Sequence, residues 1–220
     1  MNLFAEIDDP TDLERIRSVI DASERPTDLV PLGISQLTIS AQAAETASDE
    51  LAHLLSRHGK GVEGAHVVVL MDSTPIFKNT QNLKDAVVSQ LEQRFQVTRV
   101  VLGDTHHLLA DDTALDAATA ALSAADAVVS VGSGTISDIA KVASNRQGNL
   151  PYVMVQTAAS VDGYTDNVSV ILRAGAKRTI DSRWPDVVLA DTEVIATAPR
   201  VLNTSGFGEL LALFTAPADW

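Results

Sequence analysis

The sequence predicts an α/β fold, with a parallel sheet covered by helices on both faces and followed by the start of an all-helical region. Short runs of β-branched and aliphatic residues alternate with amphipathic helical patterns at least three times along the chain. One of these runs, 67–70, is continuously apolar, as is typical of a strand buried on both faces of a parallel sheet. The final residues, 205–220, instead form an almost wholly apolar helical pattern.

Helices and strands are predicted to follow one another in an alternating order. Apolar periodicity predicts helices at 11–22, 41–58, 82–94, 112–125 and 136–146. Strands are predicted at 35–40, 67–70, 97–103, 127–132 and 151–156. Beyond them, 168–175 predicts a strand that runs to a turn at Gly175. The segment 187–199 predicts a strand, a polar turn and a short helix ended by Pro199.

Local signals support these elements in turn. Leu13, Ile16 and Val19 share one face of the first helix, and Gly59 marks the end of the second. Leu83 begins the apolar face of the third helix, and the fourth is rich in alanine, a strong helix former. The intervening strands are apolar runs bounded by polar residues.

We expect two domains. Residues 1–198 form the α/β domain, in which 1–35 is an irregular extension despite the helical pattern at 11–22. Residues 199–220 begin a second, helical domain that is incomplete, because the last helix is apolar on every side and needs packing partners. If 220 residues are the mature length, this helix should lower solubility or drive self-association.

The composition is that of a globular protein and limits the classes of partner. Hydrophobic residues make up 45% of the 220 residues, and charged residues 20%. The net charge of −13 disfavours nucleic acids and anionic membranes, because like charges repel. The absence of cysteine excludes disulfides and thiolate metal sites. An acidic N-terminus and short apolar runs predict neither a signal peptide nor a membrane span, so we expect a cytoplasmic protein.

Three loops should meet at one edge of the sheet. They are 72–74, 132–135 and 157–162, and each follows a predicted strand. Because ligands bind at the carboxyl ends of parallel strands, these loops predict a single ligand crevice.

The segment VGSGTISDIAK, 131–141, carries the strongest chemical signal. Gly132 and Gly134 follow a strand directly and precede a helix, so the backbone can approach a phosphate closely and donate its amides. The positive end of the helix dipole adds to this, and Thr135 and Ser137 offer hydroxyl donors. No lysine precedes a Ser or Thr here, which excludes a Walker loop.

Two charged residues follow this loop, and each has two interpretations. Asp138 could contact the nicotinamide-side ribose or amide, or cap the helix. Lys141 could pair with Asp138 or reach the substrate. The alternative for the whole loop is a tight strand-to-helix turn without a ligand.

The segment QTAASVDGYTDN, 156–167, is a second, weaker signal. Thr157 and Ser160 lie just beyond a buried strand, where their hydroxyls could bind a cofactor, and Asp162 follows in a glycine turn. On its own this segment is better explained as an Asp-Gly turn without chemistry.

Four segments together resemble the glycerol-1-phosphate dehydrogenase family, within the wider group of iron-containing-type alcohol dehydrogenases, glycerol dehydrogenases and dehydroquinate synthases. The segments are GSGTISDIAK at 132–141, TAASVDGYTD at 157–166, DVVLADTEVIATAP at 186–199 and SGFGELLALFTAPADW at 205–220. The first sixty residues match the family poorly.

The resemblance implies a two-domain dehydrogenase. A Rossmann-like domain would bind NAD or NADP, and a helical domain would supply most of a divalent metal site for zinc, iron or nickel. The metal polarises the substrate oxygen while hydride passes to or from the nicotinamide. The substrate would be a small phosphorylated ketone or polyol, since this family interconverts dihydroxyacetone phosphate and sn-glycerol 1-phosphate. A homo-oligomer is compatible with the family.

The resemblance also assigns roles to individual residues. The cofactor would be held by Gly132, Ser133, Gly134, Thr135, Ile136, Ser137, Asp138, Thr157 and Ser160. Asp162 would contact the substrate and act with Lys141 as a catalytic residue. Asp166 stands where the family commonly has a serine that touches NAD. Asp72 could bind the adenosine ribose hydroxyls, which would favour NAD over NADP, or could cap a helix.

The metal site departs from the family pattern. Glu209 replaces the aspartate that is the first ligand, and Leu213 replaces a lysine common in the family. The other family ligands are histidines far downstream, whereas the five histidines here, His53, His58, His66, His106 and His107, all precede residue 110. We therefore expect the metal site to be incomplete within this chain, either because the sequence is part of a longer reading frame or because the protein is degenerate.

Three functions fit the sequence. The first is a metal-type, NAD(P)-dependent glycerol-1-phosphate dehydrogenase, with the 220 residues alone lacking activity. The second is a non-catalytic nucleotide-binding or interaction protein. The third is a cyclase of the dehydroquinate synthase kind.

Overall fold

The computed structural model describes residues 7–103 and 108–216. Ten strands are present in this part of the chain: β1 (Gln36–Ser40), β2 (His66–Asp72), β3 (Phe77–Lys78), β4 (Gln81–Asn82), β5 (Gln96–Leu102), β6 (Ala127–Gly132), β7 (Tyr152–Gln156), β8 (Val168–Arg173), β9 (Ala176–Asp181) and β10 (Val187–Asp191). Seven α-helices accompany them: α1 (Leu13–Asp21), α2 (Ala47–Arg57), α3 (Leu83–Leu91), α4 (Asp112–Ala121), α5 (Gly134–Arg146), α6 (Thr192–Thr197) and α7 (Arg200–Thr215).

Six strands form one sheet in the order β1-β10-β7-β6-β2-β5, and every neighbouring pair is parallel. The predicted parallel α/β sheet is thus confirmed. In the centre, Val129 of β6 is in register with Val69 of β2 and Val153 of β7. Antiparallel hairpins β3–β4 and β8–β9 lie outside this sheet.

Two apolar cores cover the two faces of the sheet. Successive residues of a strand point to opposite faces. Val67 and Val69 accordingly join the core formed with α2 and α3, whereas Val68 and Leu70 join the core formed with α4 and α5. Each central strand is buried on both sides, which explains its continuously apolar sequence.

The chain reverses its direction of travel across the sheet at β6. From β2 it moves outward to β5, then returns to β6 and continues the other way through β7 and β10. Helix α3, which follows β2, packs on one face, while α5, which follows β6, packs on the other. The carboxyl ends of β2 and β6 therefore form the switch point of the sheet, the position at which such sheets bind ligands.

The structure refines several predicted boundaries. The helix at 11–22 is present as α1, so the extension at 1–35 is not irregular throughout. The helix predicted at 41–58 is a 3-10 turn, Ala43–Thr46, followed by α2. The predicted turn at Gly175 joins β8 to a strand, β9, that the sequence pattern did not indicate.

Helix α7 starts earlier than the sequence pattern predicted. Its exposed apolar side chains agree with the predicted need for packing partners. It begins at Arg200, directly after Pro199 and five residues earlier than the pattern suggested. Glycines 206 and 208 lie inside the helix and do not mark its start. None of its described residues is buried. Within residues 7–103 and 108–216, no helix has the length and apolar character needed to cross a membrane.

Candidate nucleotide-binding site

The glycine loop connects β6 to α5 without an intervening linker. Strand β6 ends at Gly132, Ser133 is the N-cap, and α5 begins at Gly134. A Cβ atom on Gly132 would lie 2.9 Å from Cβ of Ile136, and one on Gly134 would lie 3.0 Å from Cγ2 of Val161. A side chain at Gly132 would therefore clash with Ile136, and one at Gly134 would crowd Val161. The loop presents the amino end of a 13-residue helix at the switch point of the sheet.

The loop after β7 packs directly against the glycine loop. The backbone amide of Thr157 donates to the carbonyl of Gly132 over 3.2 Å. Thr157 and Ser160 are both buried, whereas Asp162 is exposed. The structure thus brings together the predicted residues that follow β6 and β7, as expected for neighbouring parallel strands.

Tyr164 ties these two loops together, and the sequence pattern did not single it out. Its side chain is 3% exposed and its hydroxyl oxygen lies 3.0 Å from Oγ of Ser160. The hydroxyl also hydrogen-bonds with the backbone of Ser160 and Gly134. Burial raises the pKa of the Tyr164 phenol, so it stays protonated. The one available signal was an aromatic residue inside an otherwise small and polar turn.

Helix α5 already uses some of the groups that were predicted to bind the cofactor. Ser137 is buried, and its hydroxyl donates to the carbonyl of Gly134 over 2.8 Å. The hydroxyl proton of Ser137 is therefore committed within the helix. The Ile136 side chain is buried against Gly132, so Ile136 could contact a ligand only through its backbone. Ser133 and Thr135 are half-buried at the start of the helix.

Lys141 is completely buried and holds the segment after the second loop. Its ammonium lies 2.7 Å from both the carbonyl of Gly163 and Oδ1 of Asp166, and it also donates to the carbonyl of Val168. Asp138 Oδ1 is a further 3.4 Å neighbour. These contacts favour a positioning role for Lys141 over the predicted catalytic role, because its three protons already have protein acceptors.

The same ion pairs account for both aspartates near Lys141. Asp166 binds Lys141, so its position is explained without a contact to NAD. The Asp138 carboxylate accepts a hydrogen bond from the Val170 backbone of β8 and faces Lys141, which differs from the predicted helix cap. Burial raises the pKa of Asp138, and the Lys141 charge and the Val170 amide oppose this.

Asp72 lies at the carboxyl end of β2, beside the glycine-loop strand, but is no helix cap. Its Oδ1 pairs with the buried Lys84, and its Oδ2 accepts from the Thr74 hydroxyl over 2.8 Å. Helix α3 is capped instead by Asn82, whose side chain accepts from the amide of Lys84 over 3.0 Å.

The described residues do not form a metal site. In ranges 7–103 and 108–216, no group of three or more His, Cys, Asp or Glu side chains is arranged to hold a metal ion. Glu209 is exposed on α7. His66 lies at the opposite edge of the sheet, with its ring nitrogens 2.9 Å from the carbonyl of Ala124 and from Oγ1 of Thr98. From the sequence, we interpret His106 and His107, next to each other after a polar loop, as surface residues rather than ligands, and they fall outside the described residues. A single exposed glutamate does not fit a bound metal, because a catalytic metal is usually held by about three protein ligands.

A cavity of about 400 Å³ lies at the same sheet edge but away from the glycine loop. It is bounded by α3, the β3–β4 hairpin and the turn before α2, and Lys78 stands on its wall. The ammonium of Lys78 lies 3.0 Å from both Asp191 Oδ2 and Glu45 Oε1. Burial acts to lower the pKa of Lys78, but the bonds to Asp191 and Glu45 outweigh it and raise the pKa. No sequence pattern indicated this cluster.

Comparisons with known proteins agree with this architecture. The sequence model of iron-containing alcohol dehydrogenases matches residues 42–199. The glycerol-1-phosphate dehydrogenase (NAD(P)+) of Geobacillus thermodenitrificans is 31% identical over 155 residues, which cover 70% of this chain and 38% of that relative. The enzyme of the same name from Bacillus subtilis is 29% identical over 196 residues, 87% of this chain and 46% of the relative.

Solved structures show the same fold at low identity. A probable glycerol dehydrogenase from Sinorhizobium meliloti superposes with a TM-score of 0.63 at 21% identity, covering 81% of this chain and 45% of that one. The NADH-dependent butanol dehydrogenase A of Thermotoga maritima gives 0.64 at 18% identity, covering 84% and 49%. At these identities the likeness shows the fold alone.

The fold is a doubly wound α/β domain with the glycine loop at its switch point. By its family match the chain belongs to the iron-containing alcohol dehydrogenases. The resemblance seen in the sequence is thereby confirmed. The chain spans less than half the length of either curated relative.

Proposed function

We propose that this chain is the NAD(P)-binding part of a metal-dependent dehydrogenase that interconverts dihydroxyacetone phosphate and sn-glycerol 1-phosphate. The observation that carries the proposal is the glycine loop at the amino end of α5, placed at the switch point of the sheet. The names of the curated relatives, glycerol-1-phosphate dehydrogenase (NAD(P)+), support the reaction and the cofactor pair.

The backbone around Gly132 and Gly134 would bind the pyrophosphate. A Cβ atom would clash at Gly132 and be crowded at Gly134, so glycine keeps the backbone accessible where a phosphate would approach. Helix α5 contributes the positive end of its dipole, and Ser133 and Thr135 stand half-buried beside it. Ile136 would take part through its amide.

The loop after β7 would serve the nicotinamide end and the substrate. Thr157 and Ser160 line the neighbouring strand end, and Tyr164 holds Ser160 in place. The exposed carboxylate of Asp162 is free of side-chain capping contacts to the turn that follows it and is suited to accept a substrate hydroxyl. The nicotinamide ring, when bound, supplies the hydride chemistry.

Glu209 on helix α7 stands at the position of the family's first metal ligand, and the helix would begin the second, helical domain. Its exposed large apolar residues support this: Val201, Phe207, Leu210, Leu211, Leu213 and Phe214, each at least 50% exposed. The family match ends at residue 199, next to the predicted boundary at 198. Glycine 206 lies so near the carbonyl of Ala159 that an added Cβ would come within 1.9 Å of it, which seats α7 on the loop after β7.

Titration of the 220-residue chain with NADH and NADPH, followed by nucleotide fluorescence, tests the binding. We expect saturable one-to-one binding that Gly134→Val weakens about tenfold or more, because the new side chain would crowd Val161. Gly61→Val is the matched control, since no atom lies within 4 Å of a Cβ at that position. Absence of binding to both nucleotides at millimolar concentration would overturn the proposal.

The reaction is tested on the longest reading frame that contains this chain. Dihydroxyacetone phosphate should then drive the oxidation of NADH or NADPH in the presence of a divalent metal. Nucleotide binding without turnover would instead indicate a non-catalytic binding protein. Consumption of a seven-carbon sugar acid phosphate without net NADH formation would indicate a cyclase.

A further inference from the structure

The ion pair between Asp72 and Lys84 lies at the carboxyl edge of the sheet, beside the glycine loop. Asp72 is the last residue of β2, which is in register with the glycine-loop strand β6 at Met71 and Val131. Ligands of such sheets bind at this edge, and an acidic residue at a strand end can bind the ribose hydroxyls of a dinucleotide. This place in the sheet fits the ribose role that the family resemblance assigns to Asp72.

Lys84 is the buried partner whose charge neutralises that of Asp72. Its side chain is 6% exposed, and its ammonium binds Oδ1 of Asp72 as well as the carbonyl oxygens of Asp72 and Thr74, each 2.7 Å away. All three ammonium protons are thus used by the turn after β2. Asp72 stays 27% exposed, so a ligand can still meet its carboxylate.

An unpaired aspartate at this position repels the 2′-phosphate of NADPH, whereas a neutralised one does not. We propose that Lys84, by neutralising Asp72, makes the ribose position tolerant of a 2′-phosphate, so that the site accepts NADPH as well as NADH. This inference rests on the proposed function, because it concerns the same nucleotide site. Lys84 is a specificity-determining residue that acts through Asp72 and does not touch the nucleotide.

The ratio of the dissociation constants for NADPH and NADH measures this effect in the 220-residue chain at low ionic strength. Lys84→Met removes the compensating charge with little change of side-chain volume. We expect it to raise the ratio about tenfold or more, since a carboxylate and a phosphate would then face each other in a partly buried site. Asp72→Asn should lower the ratio, because Lys84 would be left uncompensated. The double variant should return it to within about threefold of the wild-type value, since the local charge is again zero.

Lys60→Met is the matched control. Lys60 is a second lysine beside an aspartate, 3.9 Å from Asp126, but at the opposite edge of the same strands. Lys60→Met should leave the ratio of the dissociation constants for NADPH and NADH unchanged. A folded Lys84→Met variant with the wild-type ratio would overturn the inference while leaving the proposed function intact. If Lys84→Met fails to fold by circular dichroism, an unchanged ratio in Asp72→Asn overturns it. A wild-type chain that binds neither nucleotide overturns the proposed function and this inference together.

Discussion

Three lysines with little exposed surface organise the loops at the carboxyl edge of the sheet. Lys78, Lys84 and Lys141 have side chains 12%, 6% and 0% exposed, and each pairs with at least one carboxylate and one backbone carbonyl. A buried ammonium is costly unless such partners surround it, so each lysine fixes the segment that supplies them. These segments are the turn after β2 for Lys84, the turn before α2 together with the end of β10 for Lys78, and the stretch from Gly163 to Val168 for Lys141. At the scale of residues, these ion pairs and hydrogen bonds hold the loops in place without a ligand.

The hydroxyl of Tyr164 should matter more for nucleotide binding than for stability. Tyr164→Phe removes the bonds to Ser160 and to the Gly134 backbone but keeps the ring in the core. We expect the free energy of unfolding to fall by about 1 kcal/mol and NADH affinity to fall about tenfold, because two loops lose their common tether. Urea denaturation and NADH titration measure the two effects.

Tyr152→Phe provides the matched control for that variant. Tyr152 is also a buried tyrosine with a hydroxyl partner, Oγ of Ser130 at 2.7 Å, but this pair lies inside the core of the sheet. It should cost similar stability and leave NADH affinity unchanged. Equal losses of affinity in the two variants would contradict the tethering role of Tyr164.

At the scale of elements, α5 is the feature on which the proposed function depends. The helix begins directly after a fully buried strand, and the N-cap Ser133 makes no side-chain capping bond. The first turn of such a helix attracts negative charge, whether it belongs to a ligand or to a side chain. A carboxylate introduced there should therefore compete with the pyrophosphate.

Thr135→Glu should weaken NADH binding without lowering the stability of the fold. Thr135 is the second residue of α5, where a glutamate interacts favourably with the helix dipole. We expect the thermal midpoint to stay equal or rise slightly, while NADH affinity falls about tenfold or more through repulsion of the pyrophosphate. Differential scanning fluorimetry and NADH titration, each at low salt, check these outcomes.

Helix α4 offers a control of the same chemistry. Thr113 is the second residue of α4, so Thr113→Glu adds the same charge at the same position of a helix that does not follow the glycine loop. It should leave NADH affinity unchanged. Tight NADH binding by the Thr135→Glu variant would show that the pyrophosphate lies elsewhere.

At the scale of the whole molecule, α7 stands out as an apolar helix without a covering layer in the described part of the chain. Phe207 is 63% exposed and Phe214 78% exposed, while Gly206 packs on Ala159. The helix touches the α/β domain through small residues and turns its large apolar side chains outward. An exposed apolar surface of this kind associates in water.

The 220-residue chain should therefore self-associate through α7. Replacing two exposed residues, Leu213→Lys with Phe214→Lys, should lower the apparent mass at a given concentration, because the added charges oppose burial of the helix. Size-exclusion chromatography with light scattering across a concentration series measures this.

Val30→Lys is the control, since Val30 is 59% exposed but lies outside α7. It should leave the association unchanged. A wild-type chain that stays monomeric throughout the series would contradict the prediction.

Much of the fold was predictable because its signals are local. The apolar run of β2 and the strand-glycine-helix junction of β6 and α5 each depend on a few neighbouring residues. Strand β9 was missed because its sequence, AKRTID, is mostly exposed and polar, so no apolar alternation marks it. It is a strand because it pairs with β8 across the turn at Gly175.

The sequence by itself determined the parallel α/β architecture, the glycine loop and the apolar last helix, since composition and periodicity express which residues must be buried. The tertiary structure decided what the charged residues do. Whether Lys141 reaches a substrate or holds a loop depends on Gly163 and Val168, and whether Asp72 is a free or a neutralised carboxylate depends on Lys84. The energy of a charge depends on its burial and on partners brought near by folding, and no local pattern in the sequence records them.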